Sequence, residues 1–352
     1  MLKRGTFALL LVLLALLALP AAAQDDTTLP DFIQHSECSV DLTGETVTIY
    51  HFGDISASYA FITQPLLAGL NDAAAYFNAR GGICGATIGS DNRDTGGDLA
   101  QAQAAYDAYR SLDPQPDIIL LYASADAELL REQLAADEIP VLISAGSVAG
   151  AYGEDGQTPG WVYATNPLYA DQIGSFCRYI GANPDLYPAP VVGYISWPGA
   201  FGEAAFTPET ISYCAAQGVT ILETPEYFLP SATDITTNVQ NLVDAGANIL
   251  YSNALASGPF MVAKTVVDLG LDDEIQVAGV NWALDTSVYA ERGGVSHVFL
   301  EMDGVVLKDT RGAFGTLGCR REFNLNNALV DCYGFYRPDV NVFYPGFPQS
   351  AN

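Results

Sequence analysis

Short β-rich runs and helical stretches alternate along most of this chain, and this alternation restricts the fold more than any other feature of the sequence. Residues 47–52 and 191–196 have the composition of strands, and residues 65–79 and 207–216, which follow them, have that of helices. Between them, Asp117 is followed by a continuous apolar run at residues 118–122, which is typical of a strand buried on both faces of a parallel sheet. Repeated βα units with short connections predict parallel sheets covered by helices on both faces.

The repeated units fall into two blocks, separated by a Gly- and Pro-rich passage at residues 146–167. A chain of 352 residues also exceeds the roughly 100–200 residues of a typical domain. The sequence therefore predicts an α/β protein with two doubly wound parallel-sheet lobes joined by a hinge. We expect lobe 1 at residues 46–165 and lobe 2 at residues 166–290.

The N-terminus has the pattern of a secretory signal peptide. Lys3 and Arg4 precede an apolar run at residues 7–19, and small residues end the pattern at Ala23. That run is shorter than the roughly 20 residues that a membrane span needs, although an uncleaved anchor is the alternative interpretation. We expect residues 1–23 to be removed, residues 24–45 to be a linker, and the mature protein to be periplasmic or secreted without membrane insertion.

Composition and charge narrow the classes of partner. Hydrophobic residues make up 49% of the chain and charged residues 16%, which favours large cores and excludes extensive disorder. The net charge is −27 at pH 7, and loss of Lys3 and Arg4 with the leader lowers it by two, to −29. Such a charge repels nucleic acid and anionic membrane surfaces. Solubility outside the cell is the simpler interpretation of most carboxylates.

Common catalytic motifs cannot be found in the sequence. It contains no zinc-protease, nucleophile-elbow, phosphate-loop or dinucleotide-binding pattern. The histidines, His35, His51 and His297, are far apart along the chain. We expect no cofactor, no metal site and no enzymatic activity. A secreted enzyme with carboxylates such as Glu203 or Asp285 in a cleft remains the alternative.

The segments that follow the predicted strands are rich in small hydroxyls, amides, glycines and aromatics. In open parallel sheets, ligands bind beyond the carboxyl ends of the strands. This mixture suits a neutral or zwitterionic small molecule held by a few hydrogen bonds between aromatic walls. The candidate ligand-binding residues are Asp54, Ser56, Tyr59, Ser124, Ala125, Ser147, Trp197, Phe201, Asn253, Asn281 and Trp282.

Several of these segments resemble a known family. A Gly/Ser/Tyr loop at residues 53–59, the Asn-Ala-Arg-Gly-Gly-Ile-Cys-Gly stretch at residues 78–85 and an aromatic-Gly-Glu turn at residues 201–203 are similar to those of type I periplasmic binding proteins. In particular, they resemble the substrate-binding proteins of branched-chain amino acid ABC transporters. The resemblance implies capture of a small amino acid by hinge closure and delivery to a membrane permease.

The resemblance also implies roles for individual residues. Ser124 and Ser147 would donate to a ligand carboxylate, Tyr59 and Phe201 would stack on the ligand, and Asn253 and Asn281 would reach in from the second lobe. Family members that bind amino acids usually carry an acidic residue near the position of Asn281, where this chain has an amide. Three carboxylates are candidate substitutes for binding the ammonium, Asp54, Asp126 and Asp285; otherwise, the ligand is an amide, a urea-like compound or a carboxylate.

Each candidate also has a purely structural interpretation. Ser124, Ser147 and Asp126 are suited to capping the helices that follow their strands. Tyr59, Trp197, Phe201 and Trp282 are equally suited to ordinary packing. Their shared position after strands favours the cleft.

Six cysteines in a secreted chain suggest disulfides, with 15 pairings open. Cys38 and Cys84 precede strands that should be neighbours, which favours a bridge between them. Cys177 and Cys214 lie on predicted helices beside the first strand of lobe 2 and can meet on one face. The remaining pair would be Cys319 with Cys332.

The C-terminal segment, residues 291–352, departs from the preceding pattern. It contains six of the 14 lysines and arginines, and its periodicity is poor. Either a truncated or altered reading frame or a divergent tail would give this change. A ligand-presenting sensor subunit is a third functional interpretation of the whole chain, beside the importer component and the enzyme.

Overall fold

A computed structural model describes residues 38–255, 257–280 and 282–283 of the chain. The predicted signal peptide, most of the predicted linker and the C-terminal segment 291–352 lie outside the described residues. So do Asn281, Asp285 and the Cys319–Cys332 pair.

Helices and strands alternate through the described chain, as the sequence predicts. The strands are β1 Thr46–Gly53, β2 Thr87–Asp94, β3 Ile119–Leu121, β4 Val141–Ile143, β5 Val162–Ala164, β6 Val191–Ser196, β7 Thr220–Ile221, β8 Glu226–Tyr227, β9 Ile249–Asn253 and β10 Gln276–Gly279. The helices are α1 Ala60–Asn78, α2 Leu99–Arg110, α3 Ser124–Asp137, α4 Val148–Tyr152, α5 Tyr169–Ala182, α6 Pro208–Ala216, α7 Thr236–Asp244 and α8 Ser257–Asp268.

The first sheet has the order β2-β1-β3-β4-β5. The pairs β1–β3, β3–β4 and β4–β5 are parallel, with Tyr50 opposite Ile119 and Val141 opposite Val162. Its core is built from β-strand residues such as Ile119 and from helix residues such as Tyr106 and Leu130, all of them fully buried.

The second sheet has the order β10-β9-β6-β7, with β8 also paired to β6. All of its pairs are parallel, and Val192 lies opposite Ile249. The central strands β6 and β9 are almost entirely buried, as expected for strands with helices on both faces. The prediction of an α/β fold with two parallel sheets is confirmed.

Backbone contacts divide the chain into two compact units. Of the described residues, the smaller one comprises residues 38–47 together with Ala74–Ile88. Within it, Cys38 and Cys84 form a disulfide, and the Asn78 side chain exchanges hydrogen bonds with the backbone of Ile88 at 2.7 and 2.9 Å. The predicted Cys38–Cys84 bridge is confirmed.

The larger unit comprises Thr48–Ala73 and the described residues from Gly89 onward. In this unit, Cys177 on α5 is bonded to Cys214 on α6. Both cysteines are fully buried. The second predicted bridge is thereby confirmed.

Strand β2 does not have the apolar content of the other strands. Its residues 91–94 are all polar, yet they belong to β2 at the edge of the first sheet. Polar side chains are tolerated on an edge strand because only one side of the strand is paired. Here the hydroxyl of Tyr109 donates to the Asp91 carboxylate at 2.8 Å, and the guanidinium of Arg93 lies 4.4 Å from the centre of the Tyr109 ring.

The Gly- and Pro-rich passage at residues 146–167 also contains two elements that the sequence did not indicate, α4 and β5. Each is short, and β5 lies at a sheet edge with Tyr163 half exposed. Short edge elements have neither the length nor the apolar run that periodicity detects.

Several helix starts follow the expected chemistry. The side chains of Asp98, Ser147 and Thr207 accept hydrogen bonds from backbone N–H groups in the first turns of α2, α4 and α6. In the described part of the chain, no helix has the length and apolar character of a membrane span.

Candidate functional site

A cavity of about 330 Å³ lies within the larger unit, beyond the carboxyl ends of strands from both sheets. This volume is at the small end of the roughly 300–1,000 Å³ that ligand pockets usually have. From the chain before β5, its lining is Asp54, Tyr59, Ile62, Gly97, Leu99, Tyr122, Ala123, Ser124, Ala125 and Asp126. From the chain after β5, it is Tyr169, Pro198, Gly199, Ala200, Phe201, Leu255 and Trp282.

The N-terminus of α3 forms one side of the cavity. Its N-cap residue, Ala123, has no side chain that could accept the free N–H groups of the first turn. The hydroxyl of Ser124 is buried and has no hydrogen-bond partner among the described residues. A helix start with free N–H groups and an unpaired hydroxyl favours an oxygen-rich or anionic group of a ligand.

Asp126, in the same turn, is also buried, with 6% of its surface exposed. Burial alone raises the pKa of its carboxyl to about 6, with no hydrogen bond or neighbouring charge among the causes. Its charge in turn helps to raise the pKa of Tyr122, after the larger effect of burial. At neutral pH the cavity therefore contains a largely ionised carboxylate that has no partner among the described residues.

The carboxylate of Asp54 is as deeply buried as that of Asp126, but it has hydrogen-bond partners. Its carboxylate oxygens accept hydrogen bonds from the backbone N–H groups of Ala57 at 2.6 Å and Tyr59 at 2.8 Å. A Cβ on Gly97 would lie only 3.3 Å from one of these oxygens. Asp54 thus fixes the turn that leads into α1 and holds Tyr59 at the cavity.

Aromatic rings form much of the remaining wall. The rings of Tyr169 and Phe201 meet edge to face with centroids 5.1 Å apart, and Tyr59 contacts Trp197 in a similar way at 6.1 Å. Burial raises the pKa of Tyr169. The side chains of Trp282 and Ser124 lie near its hydroxyl and offset part of this rise, although the Ser124 hydroxyl does not meet the geometry of a hydrogen bond. The rings that line the cavity provide apolar surface suited to an apolar or cationic group.

The loop that carries Phe201 is held from beneath by buried side chains. The amide of Asn253 donates to the carbonyl oxygen of Phe201 at 2.6 Å, and the hydroxyl of Tyr194 donates to that of Gly202 at 2.6 Å. A Cβ on Gly202 would lie 1.8 Å from the carbonyl oxygen of Trp197. Only glycine therefore allows this close approach of the chain, which fixes the position of Phe201.

The structure brings six of the predicted ligand-binding residues to one cavity. They are Asp54, Tyr59, Ser124, Ala125, Phe201 and Trp282. Four others do not line it, namely Ser56, Ser147, Trp197 and Asn253. Asn281 lies outside the described residues.

The four residues away from the lining have other contacts. Ser56 is exposed, and its hydrogen bond is the largest cause that lowers the pKa of Asp94. The hydroxyl of Ser147 donates to Glu128 at 2.5 Å and accepts from the N–H of Gly150. Trp197 and Asn253 are fully buried behind the loop of Phe201.

Sequence reasoning missed other lining residues, among them Ile62, Tyr122, Tyr169 and Leu255. Tyr122 directly follows β3, so its position after a strand could have identified it. Tyr169 begins α5 soon after β5, a strand that the sequence did not indicate. Leu255 lies two residues after β9, so the same signal could have identified it. Ile62 has no sequence signal that distinguishes it from a core residue.

Comparison with known proteins identifies the family. A sequence profile of the periplasmic binding proteins matches residues 46–297, which is most of the chain. The chain therefore belongs to the type I periplasmic binding protein family, as its resemblance to that family implied. No curated protein matches the sequence significantly.

Solved structures support the same fold. A fatty acid ABC transporter substrate-binding protein from Thermomonospora curvata has a TM-score of 0.61 at 18% identity, over 74% of this chain and 63% of that one. A valine-bound branched-chain amino acid ABC transporter protein from Thermus thermophilus gives 0.63 at 18% identity, over 72% and 64%. A solute-binding protein from Rhodopseudomonas palustris in complex with p-hydroxybenzoic acid gives 0.58 at 16%, over 72% and 66%. The chain thus spans just under two thirds of the length of these proteins.

Proposed function

We propose that this chain is the extracytoplasmic solute-binding component of an ABC importer. It captures a small amino acid, or a related amide or carboxylate, and presents it to a membrane permease without chemical turnover. The periplasm, or the medium outside the cell, is its site of action. Membership of the periplasmic binding protein family supports this class, and the binding proteins with similar structures take ligands as different as valine and p-hydroxybenzoic acid.

The observation that carries the proposal is the small cavity at the strand ends, with the free start of α3 on one side and aromatic rings on the other. The N–H groups of Ser124 and Ala125 and the Ser124 hydroxyl would receive a ligand carboxylate or carbonyl. Tyr59 and Phe201 would enclose the apolar part of the solute. Asn281 would add an amide contact from the second lobe.

The proposed mechanism is hinge closure of the lobes at residues 46–165 and 166–290. A ligand that contacts both lobes stabilises the closed arrangement because only that arrangement provides all of its contacts. The permease would recognise the closed form. Binding energy is therefore converted into a signal that the solute is present.

A thermal-unfolding screen tests the proposal. The purified protein is heated with a panel of amino acids, amides, ureas and aromatic acids, and a true ligand at 100 times its Kd should add about 2.7 kcal/mol to the free energy of unfolding. Each hit is then recovered and checked by mass spectrometry. Recovery of the unchanged solute supports binding without turnover, and the absence of any hit would contradict the proposal.

Two phenylalanines provide a matched pair of variants. Phe201 lines the cavity, whereas Phe61 does not and is 46% exposed. Phe201→Ala should weaken binding of a hit by about tenfold or more through loss of an aromatic wall. Phe61→Ala should leave the affinity unchanged. Equal effects of the two substitutions would place binding elsewhere.

A further inference from the structure

The charges around the cavity are one-sided. Among the described residues that line it are two carboxylates, Asp54 and Asp126, and no lysine, arginine or histidine. The charge of Asp54 is stabilised by the hydrogen bonds that its carboxylate accepts from two backbone N–H groups. The Asp126 carboxylate has no such partner among the described residues, and burial is the cause that raises its pKa.

A helix N-terminus alone attracts anions, with an effect equivalent to about half a positive charge. In α3, however, the full negative charge of Asp126 lies in that same first turn. It outweighs the helix dipole, so a simple organic anion in the cavity would meet net repulsion. A buried carboxylate of this kind is stabilised instead by a cation that enters with the ligand.

The other walls suit a cation as well. The aromatic residues Tyr59, Tyr122, Tyr169, Phe201 and Trp282 line the cavity. Aromatic faces attract positively charged nitrogen, most strongly where water is excluded. The aromatic lining and the unpaired carboxylate are independent observations, and both favour the same ligand charge.

We infer that Asp126 binds a positively charged nitrogen of the ligand, so the cavity accepts amine-bearing solutes in preference to simple organic anions. This inference rests on the proposed function, because it specifies the charge of the solute to be captured. In a zwitterion, the carboxylate would lie against the N–H groups and hydroxyl at Ser124, and the ammonium against Asp126. The carboxylate substitute for the neutral Asn281 is then Asp126, on the first lobe.

The test compares solutes that differ only in the amine. Isothermal titration calorimetry at pH 7.5 measures phenylalanine against 3-phenylpropanoate, and leucine against 4-methylpentanoate. At least one amino acid should bind, and its partner without the amine should bind at least about 30-fold more weakly, since loss of one member of a buried charge pair has an effect of that size. Asp126→Asn should weaken binding of the amino acid by a similar factor.

Asp171 provides the matched control. It occupies the same position in the first turn of α5, but it is exposed and does not line the cavity. Asp171→Asn removes the same charge from the same helix position and should leave every affinity unchanged.

The outcomes separate the inference from the proposed function. Equal binding of the partners without the amine, or unchanged amino acid binding in Asp126→Asn, would overturn the role of Asp126 and leave solute capture intact. Absence of binding by these four solutes and by the whole panel would overturn solute capture itself.

Discussion

Two helices in this structure start with nearly the same residues in different surroundings. Helix α3 begins with Ser124, Ala125 and Asp126, and α5 begins with Tyr169, Ala170 and Asp171. Neither has a side-chain cap, and each has an aspartate in its first turn. Asp126 is buried at the cavity, whereas Asp171 is exposed.

The difference shows how tertiary environment changes the meaning of one local pattern. An aspartate near a helix N-terminus usually stabilises the helix by about 0.3–1 kcal/mol. At Asp171 nothing opposes this effect, because solvent surrounds the side chain. At Asp126 burial raises the pKa from 3.8 to about 6, and at about 1.4 kcal/mol per pKa unit this costs more than the dipole returns. Asp171 is an ordinary residue of a helix start, whereas Asp126 is a destabilising group beside a cavity.

The largest expected change in stability is that caused by removing the disulfide that links α5 to α6. The Cys177–Cys214 bridge closes a loop with a sequence separation of 37 residues. A double substitution of both cysteines by serine should lower the free energy of unfolding by about 3–4 kcal/mol, because the unfolded chain gains freedom. Urea titration measures the loss. Neither cysteine lines the cavity, so the affinity for a solute should persist, and its disappearance would show that the start of α5 depends on the bridge.

The next prediction compares the stability changes caused by replacing Asp126 and Asp171. Asp126→Asn should raise the free energy of unfolding of the ligand-free protein at pH 7.5 by about 2–3 kcal/mol, because a buried unpaired charge is removed. Asp171→Asn should lower it by up to about 1 kcal/mol through loss of the dipole interaction. Urea titrations of both variants check the signs. Destabilisation by Asp126→Asn would show that the carboxylate has a stabilising partner.

The pH dependence of that difference has a definite sign. The folded-state pKa of Asp126 lies above its unfolded value, so the native state binds the proton more tightly. Its contribution to wild-type stability therefore falls as pH rises from about 4 to 6. The advantage of Asp126→Asn should be small near pH 4 and complete above about pH 7. A constant difference across this range would contradict a titrating Asp126.

The fold was largely predictable because the signals that specify it are local and repeated. The run at residues 191–196 coincides with β6, because a central strand buried on both faces is mostly apolar. Edge elements such as β5 were not predicted, because a strand that is paired on one side only does not need a long apolar run. The bridges were predictable because sheet order places Cys38 near Cys84 and helix positions place Cys177 near Cys214.

The site was predictable only as a region. Position after a strand identified the correct edge of the sheets, but it could not show which side chains face the cavity. Ser124 and Ser147 look alike in sequence, yet Ser147 caps α4 and donates to Glu128. Asn253 was expected to contact the ligand, and its amide is instead bonded to the carbonyl of Phe201. Such choices depend on partners distant in sequence, and a single sequence does not specify them.

A smaller effect must be separated from that of Asp126. His51 is buried in β1, stacks on Tyr122 at 6.2 Å between centroids, and has its pKa lowered to about 4 by burial. The unfolded chain takes up this proton first, so wild-type stability is lost as pH falls from about 6.5 to 4. His51→Phe should remove about 2 kcal/mol of the loss between pH 8 and pH 5.

The contributions of His51 and Asp126 have opposite signs over the same range of pH. The pH dependence of wild-type stability therefore underestimates the contribution of each residue, because the two partly cancel. Urea titrations of each single variant and of the double variant, at pH 5 and pH 8, resolve them. An unchanged pH slope in His51→Phe would contradict the burial of a neutral imidazole.

The smallest effect distinguishes the hydroxyl at the start of α3 from an ordinary buried serine. Ser124 and Ser252 both have a buried hydroxyl without a partner among the described residues, but only Ser124 lines the cavity. An unpaired buried hydroxyl is unfavourable, so each serine-to-alanine substitution should stabilise the ligand-free protein by up to about 1 kcal/mol. Only Ser124→Ala should also weaken solute binding, by about fivefold, because its hydroxyl finds its partner in the ligand. If Ser252→Ala weakened binding equally, the hydroxyl of Ser124 would have no special role at the start of α3.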